Sequence, residues 1–284
     1  MVAKDKGLAL SSAVALLAAL EEGELFLAYQ PTFDLQVLQL RGVEALLRWR
    51  HPERGLLGPD QFLPGALTGG LGARITAFVV NEAIAQCGRW ARQGHDIAMS
   101  VNVPPAGLLD GTVPDLIAEL LQREQVEASA LTVELTEQPT VGDLVAVRPA
   151  CTTLARLGVQ LSLDDFGMGD SSLSRLYELQ FDEIKLDRSF VANAASDPTA
   201  RHIVAYSTEL AHSLGIRVVA EGIESGAVLA VLTEYGVDIG QGYGLGRPTT
   251  AEAIASLPIA APLQPEPAVI DLVLDPLLHQ GRRP

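Results

Sequence analysis

Short apolar runs with strand-like alternation recur along most of this chain, each followed by a longer stretch with helical spacing. The strand-like runs are LFLAYQP (25–31), QVLQLRGVEALLRW (36–49), IAMSVN (97–102), LTVEL (131–135), VQLSLDD (159–165), EIKLD (183–187), RVVAEG (217–222) and VDIGQGY (237–243). Helical stretches such as ARITAFVVNEAIAQCGRWARQG and TARHIVAYSTELAHSLG lie between them, the second closed by Gly215 as a C-cap. A repeated strand-then-helix rhythm builds a parallel sheet, and about eight such units close it into a barrel. The expectation is therefore an α/β chain with a TIM-like (β/α)8 barrel. The first two runs follow each other too closely for a helix and read as paired strands.

In a barrel of this kind the C-terminal strand ends converge on one face, where active sites are built. Here the runs finish on Glu44, Asn102, Glu134, Asp164 with Asp165, Lys185, Glu221 and Gln241. Any one of these, taken singly, reads best as a polar residue marking a strand end. Taken together, the carboxylates, amides and lysine are too concentrated for that. The donor set is all oxygen and suits a hard cation, Mg2+ or Mn2+, better than Zn2+. The histidines (His51, His95, His202, His212 and His279) fall in helical or loop segments without metal-ligand spacing. Two adjacent aspartates at the end of a buried strand are costly to desolvate. They make sense if cations neutralise them, and a pair of cations about 3.5–4 Å apart is an arrangement that cleaves phosphodiesters by in-line attack.

Net charge narrows the partners. At −15 over 284 residues, the chain is a poor candidate for a sequence-independent grip on a DNA or RNA polymer. A small phosphorylated ligand remains compatible if cations or a few arginines offset the charge locally. No apolar run reaches the ~18 residues of a membrane helix, so no membrane partner is expected. The opening MVAKDKGLALSSAVALLAALEEGE reads as an amphipathic helix rather than a leader peptide. Cys87 and Cys151 have neither metal spacing nor a disulfide framework, which fits a reducing, cytoplasmic setting.

With those residues in view, the chain resembles the EAL family of cyclic di-GMP phosphodiesterases. The resemblance runs from about Glu22 to Pro248 and rests on GELFLAYQPTFDL, VEALLRWRHP, SVN, LTVELTE, LDDFG, IKLDRSF, VVAEGIES and QGY in family order and spacing. It implies a TIM-like barrel with one antiparallel strand, in keeping with the paired opening strands. It further implies hydrolysis of cyclic di-GMP to linear pGpG with two Mg2+ or Mn2+ ions, inhibition by Ca2+, and a homodimer.

Carried over residue by residue, the resemblance assigns Glu44, Asn102, Glu134 and Asp164 to a first metal. Asp164 would bridge to a second, which Asp165 also binds, with Glu221 nearby through water. Lys185 would hydrogen-bond the attacking water and Gln241 would help order the site. Glu224 matches a further family carboxylate near the site, and Glu137 matches the one that props up the loop after Asp165. Gln30 and Arg48 match positions that contact guanine and phosphate, a role for which arginine's planar fork is suited. The bland readings are a strand-end salt bridge with Asp187 for Lys185 and a surface arginine beside Trp49 for Arg48.

Two stretches depart from the family pattern. Met168 and Asp170 stand where the family has threonine or alanine and tyrosine, and Ala66-Leu67 stands where it has Ala-Glu. Neither removes a metal ligand, but both bear on loop order, so a working but slow enzyme is expected. The competing reading is a non-catalytic cyclic di-GMP receptor or an interaction module. By domain, residues 1–258 read as the catalytic unit and 259–284 as a proline-rich C-terminal extension.

Overall fold

The computed structural model describes residues 14–104, 107–109, 111–135, 141–167 and 172–257. The strands are β1 (Leu25–Asp34), β2 (Gln39–His51), β3 (Gly55–Leu57), β4 (Ala98–Asn102), β5 (Leu131–Leu135), β6 (Gln160–Phe166), β7 (Glu183–Leu186), β8 (Arg217–Ala220) and β9 (Ile239–Gly240). They pair in the order β1-β9-β8-β7-β6-β5-β4-β2, and a β1–β2 pairing closes the ring. β1 runs antiparallel to both neighbours, while the pairings from β2 through β4 to β9 are parallel. This is the TIM-like barrel with one antiparallel strand that the alternating pattern and the family resemblance imply. β3 was not foreseen. It pairs antiparallel with the part of β2 that runs on past β4, through Trp49, Arg50 and His51.

The helices are α1 (residues 14–21), α2 (Leu63–Thr68), α3 (Gly72–Arg92), α4 (Thr112–Glu124), α5 (Val141–Leu157), α6 (Ser172–Glu178), α7 (Arg188–Asn193), α8 (Pro198–Ser213), α9 (Gly226–Glu234) and α10 (Ala251–Ala255). α3 shows why such stretches fold as they do. Ile75, Val79, Val80, Ala83, Ile84, Cys87 and Trp90 recur at helical spacing and are all buried, each large one contributing roughly 1.5–3 kcal/mol by leaving water. α8 starts at the Asp197 cap, whose carboxylate accepts from the Thr199 N–H at 2.8 Å. It ends before Gly215, whose φ of +74° is the left-handed turn expected of a C-cap. No helix among the described residues is long and apolar enough to cross a membrane.

The two faces of the barrel strands differ sharply. Met99, Val101, Leu131, Val133, Leu135, Leu161, Leu163, Ile184, Leu186, Val218 and Ala220 belong to the main hydrophobic core. The intervening residues run across the sheet in register: Glu44 with Ser100, Ser100 with Thr132, Asn102 with Glu134, Glu134 with Ser162, Ser162 with Glu183, and Glu183 with Arg217. Because alternate residues on a strand face opposite sides, the apolar set packs outward under the helices. The polar set faces the barrel axis.

Candidate active site

Lys185 is the centre of the site. It is 2% exposed, and its Nζ lies 2.7 Å from Glu221, 3.0 Å from Glu134, and 3.5 Å from both Glu44 and Asp164. Asp187 does not take part in this cluster. It caps α7 instead, accepting from the Ser189 N–H at 2.8 Å, so the strand-end salt bridge is not what holds Lys185.

Burial alone would push the Lys185 ammonium toward neutrality. Glu134, Glu221, Glu44 and Asp164 outweigh that and hold its pKa well above the ordinary lysine value. The carboxylates divide according to their neighbours. Burial raises Glu44, but Lys185 and hydrogen bonds from Gln241 and Asn102 overcome it and leave it below the usual value. Those bonds run from Gln241 Nε2 to one Glu44 oxygen and from Asn102 Nδ2 to the other, both at 2.7 Å. Glu134 lacks such amide donors. Burial, against Lys185 and with Glu44 and Asp164 adding repulsion, lifts it well above the usual range. Glu221 is likewise pushed up by burial, eased by Lys185, and raised further by Asp164 and Glu44, to about 7. One ammonium cannot balance this many carboxylates, so some must hold protons unless another cation enters.

The doubled aspartate is accommodated by a break in the strand. On a regular strand Asp164 and Asp165 would face opposite sides. The β6–β7 register instead shifts between Leu163 and Phe166, and Asp165 adopts φ +57°, a left-handed conformation that aspartate tolerates better than most residues. The Asp165 N–H donates to Asp164 Oδ1 at 3.0 Å. Asp164, Asp165 and Glu221, all half-buried, then offer oxygens within 4.8 Å of one another. This acidic group could hold a metal ion, and its all-oxygen chemistry fits a hard divalent cation.

The strands and loops around it explain the placement. Gln241 follows β9, and its backbone N–H bonds to Ala220 O while Ile223 N donates back to Gln241 O. Gly242 must be glycine, because a Cβ there would lie 2.1 Å from the Ile223 nitrogen. Gln30, on β1, is in register with Glu44 and is buried, its Nε2 donating to Gly246 O at 3.2 Å. Arg48, further along β2, is half-buried rather than a free surface residue, with Nη1 on Leu47 O at 2.9 Å. Burial pulls its pKa down, against the charges of Tyr243, Glu44 and Asp60. Glu224 is exposed on the loop after β8, and none of the bonds within the cluster reaches it. Glu137, Met168 and Asp170 lie outside the described residues, as does the segment from 258 to 284. The reading of strand ends alone missed Glu183 and Arg217, which sit at the opposite end of the barrel interior.

Comparison with known proteins agrees with this architecture. The family model "EAL domain" matches residues 13–248. Over 83% of the chain, it is 39% identical to the bifunctional diguanylate cyclase/cyclic di-GMP phosphodiesterase MucR of Pseudomonas aeruginosa and 34% identical to the cyclic di-GMP phosphodiesterase PdeR of Escherichia coli. It spans only 35% of the length of each. Among solved structures it resembles the PaMucR phosphodiesterase in complex with c-di-GMP, with a TM-score of 0.80 and 38% identity, covering 86% of this chain and 100% of that one. Barrel, strand-end acidic cluster and family match together show that the chain belongs to the EAL domain family.

Proposed function

We propose that this chain is a metal-dependent phosphodiesterase module that hydrolyses cyclic di-GMP to linear pGpG. The carrying observation is the convergence of Glu44, Asn102, Glu134, Asp164, Asp165, Lys185, Glu221 and Gln241 at one end of the barrel, with more negative charge than its lysine can balance. Family membership, and relatives named as cyclic di-GMP phosphodiesterases, support the substrate.

Glu44, Asn102, Glu134, Asp164, Asp165 and Glu221 would hold two Mg2+ or Mn2+ ions. When bound, such cations lower the pKa of water and draw charge from phosphate oxygens. The chain's own residues do the rest. Asn102 and Gln241 fix the Glu44 carboxylate by one amide on each oxygen. Lys185, kept protonated, is a hydrogen-bond donor to the attacking water and to charge developing at phosphorus, not a base. Gln30 and Arg48 would orient guanine and phosphate. Water adds to one phosphorus, the P–O3′ bond breaks, and the freed 3′ oxygen takes a proton to give the linear dinucleotide. Ca2+, with its looser coordination, should occupy the site and inhibit.

We also place the protein in the cytoplasm, in keeping with the free, buried Cys87 and Cys151, and as a homodimer on family grounds. Glu224 and Glu137 keep supporting roles on those grounds alone, and the boundary near residue 258 is likewise a proposal. Incubation with cyclic di-GMP and Mn2+, followed by chromatographic separation, should yield linear pGpG. Tight binding with the cyclic form left intact would instead make the chain a receptor.

A further inference from the structure

The barrel axis beneath the acidic cluster is not filled by side chains. A cavity of about 40 Å3 lies there, bounded above by Glu134, Lys185 and Gln241 and below by Gln160, Glu183 and Arg217. Ser100 and Thr132 form part of its wall. On this measure a single water needs about 10–15 Å3, so the space accommodates roughly two to four.

Its surroundings are polar and incompletely paired. Gln241 is 5% exposed, and its amide nitrogen is committed to Glu44. Its Oε1 is fully buried and accepts from no donor among the described residues. Arg217 Nε, also in the lining, is likewise buried and donates to no acceptor among the described residues. At the lower end Arg217 reaches across to Gln160 at 2.5 Å and to Glu183 at 3.6 Å. A dry cavity is stable when its lining is apolar; this lining contains a buried acceptor and a buried donor that water can serve.

We propose that this cavity is a built site for ordered water, and that a water donating to Gln241 Oε1 positions the amide that holds Glu44. The positioning role rests on the reading of Glu44 as a functional carboxylate; the water site itself does not. Gln241 and Glu44 are then supported from inside the barrel as well as from the substrate face. The Glu44 carboxylate sets which end of the Gln241 amide faces it, because the reversed amide would set oxygen against oxygen, and a water donating to Oε1 holds the amide in that place.

High-resolution diffraction from the full chain tests the site directly. Density for a water within hydrogen-bonding distance of Gln241 Oε1, inside the cavity, is expected, and an empty cavity overturns the proposal. The positioning role is read from a pair of substitutions. Ser100→Val should displace the water and lower kcat roughly ten-fold while KM stays within about two-fold. Ser100→Ala should keep the water and stay near wild-type kcat. A folded Ser100→Val protein that is shown to be dry and keeps full kcat overturns the positioning role. If Ser100→Val does not fold, Thr132→Val removes a wall hydroxyl at constant shape, and an undiminished kcat with the water lost overturns the positioning role equally. Wild-type protein that binds water here but never hydrolyses cyclic di-GMP would sink the phosphodiesterase reading and leave the water site standing.

Discussion

Lys185 and Glu183 stand two residues apart on β7, both facing the barrel axis, yet their surroundings are opposite. Lys185 is a cation among four carboxylates. Glu183 is a carboxylate whose nearest cation is Arg217, at 3.6 Å. Burial raises the Glu183 pKa, and Arg217, Ser162 and Lys185 only partly offset it. The lower pair is close to self-neutral and solves a local burial problem, as structural ion pairs do. The upper cluster carries an excess of negative charge that protons or an entering cation must offset. That asymmetry separates a part of the barrel whose charges are paired locally from a part whose charges are not.

The largest effects are expected where charge is removed from the upper cluster. Lys185→Ala should lower kcat on the order of 10^3-fold while leaving substrate affinity largely intact, since it removes a donor aimed at developing charge. A rise in KM alone would show that Lys185 serves binding instead. Glu44→Gln should cost a similar factor, through weaker metal retention.

A second test uses pH and metal removal. In metal-free protein the folded Glu221 pKa, about 7, lies above the unfolded value of 4.5. Its contribution to stability is therefore fully present below pH 4.5 and is lost as pH rises through 7, on the order of 3 kcal/mol. Denaturation in EDTA at pH 5 and pH 8 should show this loss, and Glu221→Gln should flatten it relative to wild type. Saturating Mg2+ should restore stability at pH 8. Equal slopes for wild type and variant would mean that the excess proton resides elsewhere in the cluster.

The smallest effect is expected at the lower level. Glu183→Gln should change stability at pH 7 by no more than about 1 kcal/mol, because it removes a desolvation cost together with the Arg217 attraction. The sign follows from the raised pKa. Ionising Glu183 opposes folding, so the variant should gain on wild type as pH rises above 4.5. A loss of several kcal/mol would show that the lower pair is as critical as the upper.

Much of this contrast was legible in the sequence. Strand ends in a parallel barrel converge whatever their separation along the chain, so Glu44 and Gln241, which are hydrogen-bonded here, could be grouped from topology alone. Asp164 and Asp165 could be recognised as a costly pair. The bulge and the left-handed Asp165 that turn both toward Glu221 depend on how β6 and β7 slide against each other, and no local pattern encodes that. β3 is three residues long, too short for a periodic signal. Glu183 and Arg217 lie at strand starts, where a polar residue reads as a solvated boundary; only the register of β6, β7 and β8 shows that they face inward together.

Calorimetric titration of Mn2+ into metal-free protein near pH 7, in buffers of different ionisation enthalpy, reports whether the strand-end cluster exchanges protons for metal. A pair of cations per chain is expected, with release of about one proton on binding as metal replaces the proton shared within the cluster, and with binding lost in Asp164→Asn. Binding without proton release that survives Asp164→Asn, or no binding at millimolar Mn2+, would contradict that exchange.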